Sequence, residues 1–363
     1  MVLLGMSGIT WLLTLDRSAT LLALSRLFAG LSLMYCIING CDDDSHFALF
    51  LCGGTLGAIA LALVTPLLIP WRGVGDNVFT QTPHLVENPL NPNMLAGVLV
   101  MLLPFPLAGS ILTPNPAGHS LRGWRWAGIF AFLITGIALV FTRSRGAWLA
   151  AGATVFVVCV GYSRFFLWVL CLPLLMGGWA LWQNKLSLFL DMLGAGGSIT
   201  GWAERVDIWT RTYSLIQDFP FTGAGANTYP LMINLFHPSL LISPARLIPH
   251  AHNLYLQIAV DLGIPGLIAF MAIVLLAFSG AIRCMRGPVH SFQQVAVWAA
   301  CASLVAMLVH GLVDAATWIV GWSAPLPWMV IGLLMAAVRQ SRESVAKQND
   351  VFPDLSGANP GLR

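Results

Sequence analysis

The chain has 363 residues, of which 57% are hydrophobic and 9% charged, with a net charge of +3 and a mean hydropathy of +0.79. Soluble domains carry roughly 25% charged residues, so an ordinary soluble domain is excluded. The small net charge, with no basic tract or aromatic-basic pattern, excludes a nucleic-acid partner. What remains is an all-α polytopic membrane protein with about 9–10 transmembrane helices and one large, partly helical external loop.

Apolar runs long enough to cross a bilayer lie near 18–39, 46–70, 93–113, 126–142, 147–163, 165–182, 254–280, 292–313 and 317–338, with 1–15 as a short additional candidate. The seven cysteines form no CxxC or Cys/His pattern and read as small apolar residues within spans. Lys and Arg in short loops set the orientation. Arg122, Arg125, Arg164, Arg283, Arg286, Arg339, Arg342 and Lys347 fall on one side by helix count, which makes that side cytoplasmic. The opposite side then holds 71–92, the turn TRSRG at 142–146 and a loop of about 70 residues. The divisions are N-terminal helices over 1–182, the external loop over 183–252, C-terminal helices over 253–338 and a disordered cytoplasmic tail over 339–363.

The long loop is the one large polar region, and its stretch SITGWAERVDIWTRTYSLIQDFPFTGAG carries a helical pattern. Val206, Trp209, Tyr213 and Ile216 recur at helical spacing and predict one apolar stripe lying on the membrane surface. Ser198 or Thr200 caps the start and Pro220 stops the helix. Arg205 and Arg211 then project near the mouth of the bundle. TGAGAN at 222–227 lacks the third glycine and the βαβ setting of a dinucleotide fingerprint, so it reads as a tight turn.

Arg143 and Arg145 sit in a turn too short for much freedom. They serve either as interfacial anchors or as bidentate donors to a diphosphate at headgroup depth. Arg205 is either a solvated helix residue or a third such donor. His250 and His252 are two apart, with no carboxylate beside them in sequence, so no metal ligand is assigned. One imidazole can still act as a base or a hydrogen-bond partner near neutral pH. Asn253, Gln257 and Asp261 recur every four residues and make a polar stripe running into the membrane. It is either interhelical hydrogen bonding or the lining of a wet cavity. Asp314, after HGLV, is a candidate for the same cavity.

In these pieces the chain resembles the O-antigen ligase and O-antigen polymerase superfamily of bacterial envelope proteins. The matching stretches are SRGAW (144–148), ERVDIW (204–209), DFPFTGAGANTY (218–229), AHNLYLQIAVDLGIPGL (251–267) and HGLVD (310–314), in the family's order across about 90–340. Residues 1–90 match only as hydrophobic spans, fewer than the family's usual twelve or so, and the family's common intramembrane Glu is Asp261 here. The resemblance implies glycosyl transfer without metal or other cofactor, at the outer face of the bacterial cytoplasmic membrane. The donor is a polyprenyl diphosphate-linked glycan, the acceptor a lipid-linked or glycan hydroxyl, and membrane lipids surround both. Carried over by motif, His252, Arg205 and Arg145 are catalytic. Arg143, Asn253, Tyr255, Asp261 and Asp314 are weaker candidates for substrate binding. The alternative is a transporter of a small solute or an inorganic anion such as bicarbonate, with the Asn253–Gln257–Asp261 stripe as its path.

Overall fold

The structure, a computed structural model, describes residues 1–69, 90–113, 120–170, 202–239, 241–242, 248–286, 289–318 and 321–351. It is all helical over these residues. The N-terminal half contains α1 (Val2–Leu13), α2 (Arg17–Gly40), α3 (Asp44–Leu68), α4 (Pro92–Leu102), α5 (Pro104–Ile111), α6 (Ser120–Thr142) and α7 (Arg145–Tyr162). After a 3₁₀ segment (Arg164–Leu170) come α8 (Trp202–Asp218) and α9 (Tyr229–Phe236), which belong to the long loop. The chain returns through α10 (Leu254–Cys284), α11 (Phe292–His310) and α12 (Pro325–Val351).

Seven helices among the described residues are long and apolar enough to span a membrane, counting α4 and α5 as one. That is fewer than the nine or ten expected, for identifiable reasons. Helix α1 has 12 residues, too few to cross. The span expected at 165–182 is 3₁₀ through Leu170 and then passes outside the described residues. The span expected at 317–338 opens with turns, and its helix begins only at Pro325.

Helices approach closely where one of them offers glycine, as in other membrane bundles. Gly30 of α2 receives the Trp328 ring of α12, and Gly54 of α3 receives Phe105 of α5. Phe270 packs edge-on against Trp318 and Trp328 at centroid distances of 5.2 and 6.0 Å. Pro104 and Pro106 loosen the backbone ladder of α4–α5, and the Ser303 hydroxyl donates to the Met101 carbonyl at 2.7 Å. Six cysteines among the described residues are free, in line with their reading as apolar fillers.

One end of the bundle gathers the 41–44 turn, the start of α11 and Arg339. Asp43 caps α3, while Asp44 accepts from the Phe292 and Gln293 amides at 3.0 and 2.7 Å. Arg339 donates to the Cys41 carbonyl at 3.0 Å and pairs with Asp42 and Glu343. These contacts carry helix past the point where a disordered tail was expected: α12 continues from Arg339 to Val351. Residues 352–363 lie outside the described residues.

The opposite end carries the lid formed by α8 and α9. Its apolar interior includes Ile208, Leu215, Ile216, Tyr229, Met232 and Ile233. The buried side of α8 is therefore Ile208–Thr212–Leu215, whereas two members of the expected stripe, Val206 and Tyr213, are exposed at 43% and 58%. Both sets have helical spacing; Ile208–Leu215 packs against α9 and the α10 entry, and Val206 and Tyr213 stay on the surface of the lid, where the expected stripe would meet the membrane. Thr212 and Tyr229 hydroxyls share a 2.7 Å hydrogen bond inside this core. The cap candidates Ser198 and Thr200 lie outside the described residues. The end of α8 at Asp218, two residues before Pro220, agrees with the expected stop.

Candidate functional site

The lid is seated on a break in α10. Gly263 has φ 73° and ψ 173°, and Pro265 supplies no amide proton. A continuous helix would send the Ile264 amide to the Val260 carbonyl. Here Ile264 donates to the Pro220 carbonyl at 2.8 Å, and Val260 accepts from the Ala224 amide at 2.6 Å. The Asp261 carbonyl, orphaned by Pro265, accepts from the Thr10 hydroxyl of α1 at 2.8 Å. Three backbone groups at the break, the Ile264 amide and the Val260 and Asp261 carbonyls, are thus matched from outside the helix.

TGAGAN makes this possible. Gly223 and Gly225 have φ of 70° and 110°, and Asn227 also lies in the left-handed region. A Cβ at Gly223 would sit 2.7 Å from the Asp261 carbonyl carbon and oxygen. The tight-turn reading holds, and the turn's purpose is a backbone-to-backbone approach.

The polar stripe of α10 closes the same joint. Asp261 Oδ1 accepts from Gln257 Nε2 at 3.0 Å and from the Asn227 amide at 3.3 Å, and Oδ2 accepts from Trp318 Nε1 at 2.9 Å. Gln257 Oε1 accepts from the Ala251 amide at 2.7 Å. Asn253 caps α10 by accepting from the Tyr255 and Leu256 amides, and its Nδ2 donates to the Leu312 carbonyl. Tyr255 Oη donates to the Leu308 carbonyl at 2.9 Å. These four side chains stitch α10 to the lid and to the end of α11. The polar groups of the stripe are thus engaged in hydrogen bonds within the protein.

Titratable groups collect beside this joint. The loop 248–253 brings His250 and His252 against the turn after α11, with ring centroids 4.4 Å apart. His252 Nδ1 lies 3.5 Å from Asp314 Oδ2, and His250 Nε2 lies 4.0 Å from Asp314 Oδ1. Both imidazoles and the carboxylate are buried. No carboxylate adjoins the histidines in sequence; the fold supplies one from across the bundle. His252 adopts φ 48°, a strained choice for a residue with a Cβ. It is held by Trp209 Nε1, which donates to its carbonyl at 3.3 Å, and by its own amide, which donates to His250 Nδ1 at 3.2 Å.

Arg205, in the first turn of α8, faces the cluster. Burial works against its charge and the nearby Asp314 supports it. Its Nε is buried without a hydrogen-bond partner. Arg211 does not join it: Nε bonds Asp207 at 2.9 Å and Nη1 bonds the His237 carbonyl at 2.9 Å, both inside the lid. The expectation that both arginines point at the bundle mouth is corrected for Arg211, because Asp207 lies one turn back and draws it away.

Arg145 opens α7, followed by Gly146, whose missing Cβ leaves room for Val313 and lies close to His310. Arg145 is half-buried; Arg143 is exposed with φ 53°. The start of α7 therefore abuts the 310–314 turn. His310 was not singled out from the sequence. It is buried, its Nε2 has no partner, and its ring lies where a Cβ on Gly97 of α4 would come within 3.1 Å. Its spacing of four from Asp314 was the available signal.

Burial, only partly offset by Asp314, pushes the pKa of His250 down to about 4 from 6.5. The ring is neutral at pH 7, and because Nδ1 accepts the His252 amide its proton sits on Nε2. Burial opposes ionisation of Asp314, but the facing His252 ring and the neighbouring His250 and His310 imidazoles outweigh it, so the carboxylate is held below its usual range. Between pH 6.5 and about 4 the unfolded chain takes up a proton at residue 250 that the folded chain refuses. The stability from a neutral His250 is complete above pH 6.5 and is lost toward pH 4, to a total of about 3–4 kcal/mol at about 1.4 kcal/mol per pH unit. The thermal unfolding midpoint of the wild type should therefore fall more steeply over this window than that of His250→Gln; parallel curves would contradict it.

A family model described as O-antigen ligase matches residues 130–271. That span contains Arg143, Arg145, Arg205, His250, His252 and Asp261, and it stops before His310 and Asp314. No curated protein matches the chain. Over residues 130–271 the chain is similar to O-antigen ligases, and its apolar helices are those of a multi-pass membrane protein.

Proposed function

We propose that this protein transfers a glycan from a polyprenyl diphosphate to a hydroxyl of a lipid-linked or glycan acceptor, at the outer face of the cytoplasmic membrane and without a metal. The observation that carries the reading is the meeting of Arg205, His252 and Asp314 in one buried cluster beside the start of α7. The acceptor oxygen attacks the anomeric carbon as the bond to the diphosphate oxygen breaks, and the polyprenyl diphosphate leaves with the electron pair. A single displacement of this kind inverts the anomeric centre. Arg145 and Arg205 bind the diphosphate and balance the charge that grows on it. His252 takes the proton of the attacking hydroxyl on Nε2, and ionised Asp314, facing Nδ1, stabilises the resulting imidazolium. Arg143, exposed beside Arg145, adds positive charge where the lipid headgroup arrives. Asn253, Tyr255 and Asp261 act indirectly, by fixing the loop that carries His252.

The test is incubation of purified protein with a polyprenyl diphosphate-linked sugar and candidate acceptors. Release of polyprenyl diphosphate matched by new glycosidic product is expected, at a rate unchanged by a chelator. A rate abolished by chelation and restored by a metal would overturn the metal-free assignment. Absence of release with every donor and acceptor would overturn the reaction.

A further inference from the structure

We propose that His250, His252 and Asp314 form a binding site for a transition-metal dication of the zinc class, and that its occupancy blocks glycan transfer. The binding half stands on geometry alone; the inhibition rests on the function proposed above.

The three residues each offer a ligand atom, and these atoms all lie within 4.8 Å of one another. The separations of 3.5 and 4.0 Å from the carboxylate are close to the roughly 3.4 Å between ligands of a tetrahedral zinc with bonds of about 2.1 Å. Small ring rotations close the difference. Both His252 Nδ1 and Asp314 Oδ2 are buried without a hydrogen-bond partner, so neither has to give one up. Two imidazoles and one carboxylate suit zinc, cobalt or nickel. Magnesium and calcium prefer shells of six or more oxygens and should not compete.

Three ligands leave one position open to a water or a substrate oxygen. His310, with its buried Nε2, lies outside the three-atom group but interacts electrostatically with Asp314. The opposing influence is the positive charge of Arg205, which acts on His250 less strongly than Asp314 does. Binding at Nδ1 moves the ring proton of His252 to Nε2 and that of His250 from Nε2 to Nδ1, which releases the 3.2 Å bond from the His252 amide. It also takes Asp314 away from the role of stabilising an imidazolium, and the metal withdraws electron density from the His252 ring. A base so occupied cannot accept the hydroxyl proton.

The experiment titrates the purified protein in detergent with Co²⁺, read by its visible absorption, and then with Zn²⁺ as competitor. One equivalent of Co²⁺ in a low-coordinate, strongly absorbing site is expected, displaced by one equivalent of Zn²⁺ and lost in His250→Gln and Asp314→Asn. If those variants fold poorly, Arg205→Gln serves instead: removing a neighbouring positive charge should tighten Co²⁺ binding at least several-fold. Zinc should inhibit transfer with the same midpoint as its binding, reversed by a chelator, while Mg²⁺ has no effect. Absence of the absorption band, or a band indifferent to all three substitutions, overturns the site and leaves the proposed transfer untouched. Stoichiometric binding with zinc-dependent turnover overturns the inhibition and the metal-free mechanism together, and leaves the site standing. Binding at this site without any change in transfer overturns the inhibition alone.

Discussion

Replacing His252 by alanine should lower the turnover of glycan transfer by about 10²–10⁴-fold, the usual contribution of a positioned general base. The substitution removes the imidazole whose Nδ1 faces Asp314 at 3.5 Å, while the loop keeps its Asn253 cap and the Ala251–Gln257 bond. Asp314→Asn should cost a similar factor through a different route. The amide fills the same volume but cannot offset a positive charge on His252. Both losses should appear in kcat, because the base acts on the acceptor only as the bond forms. Arg205→Lys tests the other half of the site: a point charge replaces a fork, so donor binding should weaken as well. The measurement is kcat and KM with saturating acceptor, on protein shown by size exclusion to be intact. A His252→Ala enzyme with wild-type kcat would remove this residue from the chemistry.

The second large effect is on stability. Gly223→Val should undock the lid at a cost of about 3 kcal/mol or more. The left-handed backbone at φ 70° disfavours any residue with a Cβ by roughly 1–2 kcal/mol. The added atom would also stand 2.7 Å from the Asp261 carbonyl and the Gly263 amide. These are backbone atoms at a helix break and cannot rotate away, unlike the end of a flexible side chain. Limited proteolysis should then cut the 219–228 turn in the variant and spare it in the wild type. Gly152 is the control. It lies in α7 with open space where a Cβ would go, so Gly152→Ala should be neutral or stabilising by up to about 1 kcal/mol. Equal protection of the turn in wild type and Gly223→Val would show that the glycine is not needed for docking.

Much of the bundle was legible because hydropathy over about 20 residues reports bilayer crossing directly. The edges of α2, α3, α7 and α11 fall within a few residues of their expected positions. The turn at 222–227 was legible too, since glycine spacing announces positive φ. Its docking partner was not, because the break in α10 exists only with the turn in place. The rotation of α8 shows a similar limit. Ile208–Leu215 has the same helical spacing as Val206–Tyr213, and that it packs against α9 and the α10 entry is not written in the spacing. Of the site, the motif residues Arg145, Arg205, His252 and Asp314 were all named from the sequence. That one carboxylate would face two imidazoles was hidden, since Asp314 reaches them from a different helix end. His310 was missed because its one signal, a spacing of four from Asp314, does not tell which other groups the fold brings beside it.

The borrowed hydrogen bonds of α10 bear on how the molecule is made. The groups that complete its broken midsection come from Thr10, Pro220 and Ala224, all of which leave the ribosome before residue 261 does. When this helix emerges, its partners have already been synthesised. Vectorial synthesis thus allows a segment with exposed amide and carbonyl groups to enter lipid with those groups matched on arrival. Reordering the segments by circular permutation would deny it that sequence of events, even with every final contact preserved.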